Sequence, residues 1–288
     1  MKESSIDRIF AKSPEEEKKV REVIEKRFRT QENISFKTER EKTPDEAEII
    51  KFIDKETSAI AEKFGGKNLS IPAVNVHIIS ENELLDLVKK RRGENAQIPD
   101  ATWKPRTQAI IMKDAGDNLV KFINVLTHEM YHTKAFQSLK SDLEKKNLKW
   151  RRGGLSVGLR DRPKEAFTDL DEAVTEYLTH MNIEQWAAKK DRVPEIINET
   201  AEKFGESDLY TPTYLREQIR FIGILNEIQT KNPEDFKDRE SVFNIFAEAY
   251  FTGGLLKLRK IVDQTFGNGS FIEFAKKGLP ESKWEKEV

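Results

Sequence analysis

The segment His128-Glu129-Met130-Tyr131-His132 carries the most chemistry in the chain. On a helix, residues four apart stand on one face about 5–6 Å from each other, so two imidazoles at this spacing can converge on one metal ion. Glu129 borders the same patch. A carboxylate there can accept a proton from a water that the metal has acidified to a pKa of about 7, and can return it to a leaving amine. This is the chemistry of metal-assisted amide hydrolysis. The competing reading is two helix histidines bonded to nearby backbone, with an acid that happens to adjoin them. The setting argues against it: from Leu119 to Ser138, read as one helix, the only charged residues are Lys121, Glu129 and Lys134. This is the most apolar stretch of the chain, and uncompensated polar groups there would be costly.

A zinc site needs a third protein ligand, and the chain has no cysteine. His77 and His180 are remote in sequence, so a downstream carboxylate is the natural candidate. Leu170-Asp171-Glu172-Ala173-Val174-Thr175-Glu176-Tyr177 supplies several. It belongs to a helix that Thr168 is expected to cap and that runs toward Lys189, with Asp171 in a capping-box-like position. On this helix Leu170, Val174, Tyr177 and Met181 form the aliphatic stripe, and Glu172, Glu176 and His180 form a column at i, i+4, i+8. Taken alone the column is a solvated charged face; beside a metal-binding helix it is a ligand source. Asp171, Glu176 and Glu165 stand as rivals to Glu172.

His128-Glu-x-x-His132 followed by Glu172-Ala-x-x-Glu176 resembles the gluzincin branch of the zincin metallopeptidases, the branch that includes thermolysin. The resemblance spans roughly 101–178. It implies Zn2+ held by His128, His132 and Glu172, one ion per chain, with Glu129 as the catalytic acid–base and Glu176 fixing a histidine ring. It also implies that the strand read over Thr107 to Met112 is the sheet edge along which a peptide lies. The metzincin branch is excluded, since no histidine follows His132 before His180. The chain departs from the thermolysin pattern in the 39 residues between His132 and Glu172, in Asp171 where that pattern has Asn, and in Glu176 where it has Asp. Gluzincins also draw an oxyanion donor from a Tyr or His downstream. Tyr210 and Tyr214 qualify by location, and Tyr214, opening a helix after Pro212, is the choice; His180 and Tyr131 are weaker candidates.

The elements that must position these groups are read as an α+β fold, a small mixed sheet with an active-site helix joined to a largely helical C-terminal part. Ser13-Pro14-Glu15-Glu16 starts an exposed charged helix, and Thr43-Pro44-Asp45-Glu46 starts one whose Ile49, Ile50 and Ile53 face a core. Strands are expected over Ile71–Ile79 and Thr107–Met112, a short helix over Asn82–Lys90, and a hairpin around Gly153-Gly154. Four or five helices and no strand follow Val193. The domains are drawn as a peripheral N-terminal extension (1–42), a zincin-like catalytic domain (43–190) and a helical subdomain (191–288). Fifty Lys+Arg against 51 Asp+Glu in 288 residues leave no global field to draw in nucleic acid, which is not expected as a partner. From Lys145 to Lys164 eight bases (Lys145, Lys146, Lys149, Arg151, Arg152, Arg160, Arg162, Lys164) face only Asp161, either rimming the cleft or forming a solvated face. Lys89-Lys90-Arg91-Arg92 is read as a loop. With no leader and no apolar run near the ~18–20 residues that cross a bilayer, a cytoplasmic protein without a membrane partner is expected. The functional expectation is a zinc metallopeptidase acting on peptides or a protein; the alternative is a sensor or regulatory binding protein on the same scaffold. A deformylase is excluded, because its cysteine ligand is missing.

Overall fold

The computed structural model describes residues 4–31, 34–96, 98–142, 147–158, 166–189, 191–204 and 214–281. In chain order the elements are β1 (Arg8–Phe10), α1 (Pro14–Thr30), α2 (Pro44–Lys63), β2 (Val76–Ile79), α3 (Glu81–Arg92), β3 (Ala101–Lys104), β4 (Ala109–Lys113) and α4 (Leu119–Lys134). There follow β5 (Gln137–Asp142), β6 (Asn147–Gly153), β7 (Ser156–Val157), α5 (Thr168–Ala187), α6 (Arg192–Phe204), α7 (Leu215–Lys231), α8 (Arg239–Thr252), α9 (Leu255–Phe266) and α10 (Ser270–Lys277). The fold is α+β, with two small mixed sheets, one ordered β2-β4-β3 and the other β1-β5-β6-β7.

In the first sheet β4 is central, parallel to β2 and antiparallel to β3. Its unbroken apolar run follows from burial on both faces. Ile110 and Met112 join a core with Ile49, Ile50 and Ile53 of α2 and Ile123, Leu126 and Met130 of α4, while Ala109 and Ile111 meet Leu84 and Val88 of α3. The strand read over Thr107–Met112 is therefore not a sheet edge; β2 and β3 are the edges. The strand expected from Ile71 begins only at Val76, because Pro72 lacks an N–H and Ala73–Asn75 turn as a 3-10 helix. Lys89 to Arg92 are the end of α3 rather than a loop.

Helix α4 is shorter than its apolar run. It stops at Lys134, where the Gln137 amide donates to the carbonyls of His132 (2.7 Å) and Thr133 (3.0 Å), and the chain turns into β5. A buried cation secures this end. Lys134 is fully enclosed and its ammonium donates to the Asp54 carboxylate (2.6 Å), the carbonyls of Asp54 (2.7 Å) and Leu69 (2.9 Å), and the Ser58 hydroxyl.

The N-terminal segment is not a peripheral arm. Strand β1 pairs in parallel with β5, and Ile6, Ile9, Val20 and Ile24 close a cluster with Leu139, while Phe28 enters the α2–α4 core. Helix α1 does start as expected, with the Ser13 hydroxyl accepting from Glu16 N–H. Its buried residues at i, i+4, i+8 are only three in seventeen, which is why charge dominates its sequence. After Arg192 five helices follow and no strand among the described residues. Phe221, Phe243 and Phe246 share one core with Tyr131 of α4 and Leu170, Val174 and Leu178 of α5. No break in the core marks residue 190. No helix among the described residues is long and apolar enough to cross a membrane.

Candidate metal centre

Helices α4 and α5 lie side by side and turn their histidines and acids toward each other. His128 Nε2 and His132 Nε2 stand 3.0 Å apart, and Glu172 Oε2 lies 3.2 Å from the first and 3.3 Å from the second. A tetrahedral ion with ligand bonds of ~2.0–2.1 Å requires ligand atoms ~3.3 Å apart, so the triangle has the size such an ion needs. The other ring nitrogens are turned away from it. His128 Nδ1 meets Glu176 Oε2 at 2.7 Å and His132 Nδ1 faces Asp171 Oδ2 at 3.5 Å. A carboxylate at Nδ1 favours the proton there and leaves the Nε2 lone pair for a cation. Two such lone pairs and a carboxylate oxygen directed at one point repel one another unless a positive charge sits between them. His128, His132 and Glu172 could thus hold a metal ion.

The surrounding carboxylates favour positive charge at this point. Burial opposes charge on His128, but hydrogen bonds to Glu172 and Glu176 outweigh it and hold the imidazole pKa well above its ordinary value. For His132 burial likewise opposes charge, and Glu172 again wins and raises the pKa. Burial pushes Glu172 and Glu176 up, yet the imidazoles bring both down, Glu176 to about 2. The pocket stabilises positive charge.

Glu129 adjoins the triangle without entering it. Burial raises its carboxyl pKa, against the pull of His132 and His128 and a smaller downward pull from the Trp103 backbone of β3. β3, which packs against α4, is one of the two outer strands of its sheet. Tyr214, which opens α7, lays its ring over His128 with centroids 5.9 Å apart and planes 12° apart.

No family model, curated protein or solved structure matches the chain. The reading of this centre therefore rests on its geometry.

Of the rival third ligands, Asp171 and Glu176 lie behind the imidazoles on the Nδ1 side, and Glu165 falls outside the described residues. Tyr210 and the bases Lys145, Lys146, Arg160, Arg162 and Lys164 also fall outside them. Tyr131 is turned away from the centre, fully buried with its hydroxyl accepting from the Asn182 amide at 2.6 Å. His77 sits on β2, paired with Glu39 at 2.8 Å. Arg152 does not rim a cleft; its guanidinium donates to the carbonyls of Gly154 (2.8 Å) and Gly253 (2.7 Å) and so closes the C-terminal end of α8.

The expected capping role of Asp171 is not what the structure shows. Phe167, in the left-handed region, is the N-cap of α5 and its side chain caps nothing. Asp171 Oδ1 instead accepts the N–H of Leu155 (2.6 Å) and Ser156 (3.4 Å) in the β6–β7 turn, while Oδ2 faces His132. Burial pushes its carboxyl up to about 7. The turn comes this close only because residue 154 is glycine. At φ +54 a Cβ would stand 2.2 Å from Asp171 Oδ1 and 2.7 Å from the Tyr250 ring. The Gly153-Gly154 pair was a visible signal of a turn, but not of what packs against it.

Proposed function

We propose that this chain is a zinc-dependent metallopeptidase in which His128, His132 and Glu172 hold the ion and Glu129 is the general base. One observation carries the reading: three ligand atoms form a triangle of tetrahedral size, both imidazoles are backed by carboxylates, and a further buried glutamate adjoins the triangle without being needed to complete it. A structural metal site has no use for that fourth acid. Zinc bound there would acidify a water to a pKa of about 7 and polarise an amide carbonyl.

The chain's own groups supply the rest. Glu129 takes a proton from the attacking water and delivers it to the leaving amine, and a raised pKa suits a group that must do both. Glu176 and Asp171 keep the two imidazoles oriented. Tyr214 is the candidate donor to the developing oxyanion. A peptide substrate lies along β3, an outer strand packed against α4, and adds an extended strand beside it.

The deciding experiment measures metal content and digestion of a diverse peptide pool by wild type and Glu129→Gln. The variant is expected to keep about one zinc per chain and its fold while losing about 10²- to 10⁴-fold in turnover. Equal cleavage by both proteins, or a zinc-loaded wild type that cuts nothing while binding a partner, would move the reading to a regulator.

A further inference from the structure

The α5 column at i, i+4, i+8 contributes a proposed ligand in Glu172 and an anchor in Glu176, and its third member, His180, has so far no role. His180 Nε2 is buried and stands 3.3 Å from Glu176 Oε1, within ion-pair reach though not aligned as a hydrogen bond, while Oε2 of the same carboxylate meets His128 Nδ1 at 2.7 Å. The Glu176 side chain is only 3% exposed, so little water reaches its second oxygen. Among the described residues, His128 and His180 are the basic groups within ion-pair distance of this carboxylate.

The other anchor shows why a second partner matters. Asp171, behind His132, has its far oxygen held by two backbone N–H groups of the β6–β7 turn. Glu176 sits mid-helix, where the surrounding N–H groups are spent on the helix itself, so only a side chain can hold its far oxygen. The last torsion of glutamate is broad, and a carboxylate gripped at one oxygen can swing about it. We propose that His180 is a positioning residue for the metal centre, holding the second oxygen of Glu176 and thereby fixing the tilt and tautomer of His128. This rests on the zinc reading above. It makes the centre four deep along one line: ion, His128, Glu176, His180.

The test uses the full chain with His180→Leu and His180→Ala, which remove the donor, and His180→Gln, which keeps an N–H at similar reach. Circular dichroism checks that each is folded. Zinc affinity is read by competition with a chromogenic chelator, and the coordination sphere by the visible absorption of the protein loaded with Co2+ alone. The donor-free variants are expected to bind zinc about 5- to 10-fold more weakly, below the 10- to 100-fold typical of a direct anchor, and to shift the cobalt bands. His180→Gln is expected to restore both. Wild-type affinity and spectrum in either folded donor-free variant would overturn the proposal, as would a His180→Gln protein no better than His180→Leu. A wild type that takes up neither metal defeats the zinc reading itself, an outcome seen before any variant is compared.

Discussion

Asp171 and Glu172 are adjacent yet serve opposite sides of one imidazole, because successive helical residues point about 100° apart. Glu172 reaches the Nε2 side of His132 and Asp171 the Nδ1 side. Glu172→Ala is accordingly expected to abolish stoichiometric zinc, read by metal analysis after dialysis. Glu176→Gln and Asp171→Ala should each retain the ion with about 10- to 100-fold lower affinity. The glycine that lets the hairpin approach Asp171 belongs to the same set. Gly154→Ala touches no ligand, yet its Cβ displaces Asp171 and must adopt a left-handed backbone. A fall of about 10-fold or more in zinc affinity is expected by chelator competition; wild-type affinity there would mean that Asp171 does not govern His132.

At the scale of elements, α4 is the hub. One side of it, through Phe122, Leu126 and Met130, packs on the first sheet and α2, and the other, through Tyr131 and Ala135, on α5 and the C-terminal helices. Its histidines emerge along the seam between those two cores. The helix must not slide or rotate for the triangle to persist, and Lys134, two residues beyond His132, is the bolt. Burial brings its ammonium pKa down to about 8, and the Asp54 pairing limits the fall. Lys134→Ala would take the cation from the Asp54 carboxylate, leaving it the Ser70 hydroxyl and the Ile71 N–H, and would leave the Leu69 carbonyl to the Ser58 hydroxyl. Removing one partner of a buried pair costs about 3–5 kcal/mol, so the midpoint of denaturant unfolding should drop sharply. A loss below about 1 kcal/mol would show that water replaces the ammonium and that the bolt is dispensable.

For the molecule as a whole, the N-terminal segment is part of the structure it was expected only to cover. Deleting residues 1–42 removes β1, the α1 side of a buried cluster, Glu39 from buried His77, and Arg40 from both Glu46 and Asp114. The truncated chain is expected to be insoluble or unfolded; a soluble, cooperatively melting product would restore the idea of a separate extension. Arg40 also shapes the acid response. Its hydrogen bonds lower the pKa of Asp114, and at Glu46 they outweigh burial, which acts upward. Carboxylates depressed in the folded state add stability above their unfolded pKa, and that stability is lost as pH falls through the folded value. Stability should therefore decline from about pH 4.5 downward, and Arg40→Met should flatten that decline relative to wild type in thermal melts between pH 6 and pH 3.

The sequence by itself determined the local chemistry: two imidazoles and an acid at helical spacing, and Glu172, Glu176 and His180 on one face of a second helix. It also showed the capped starts of α1 and α2 and the Gly-Gly turn. These are legible because the 3.6-residue repeat and the capping rules act over a few residues. Which carboxylate completes the triangle with the two imidazoles and which stands behind a ring was not legible, since that depends on the rotation of α5 against α4. Asp171 was misread for this reason: its partners are a turn 15–16 residues earlier and a histidine on another helix. Strand β5 has Leu139 as its single apolar residue and so no strand pattern of its own; pairing with β1, about 130 residues away, and with β6 makes it a strand. The place of β4 at the centre of its sheet, which leaves β2 and β3 as its edges, is likewise a property of strand order, which no local pattern encodes.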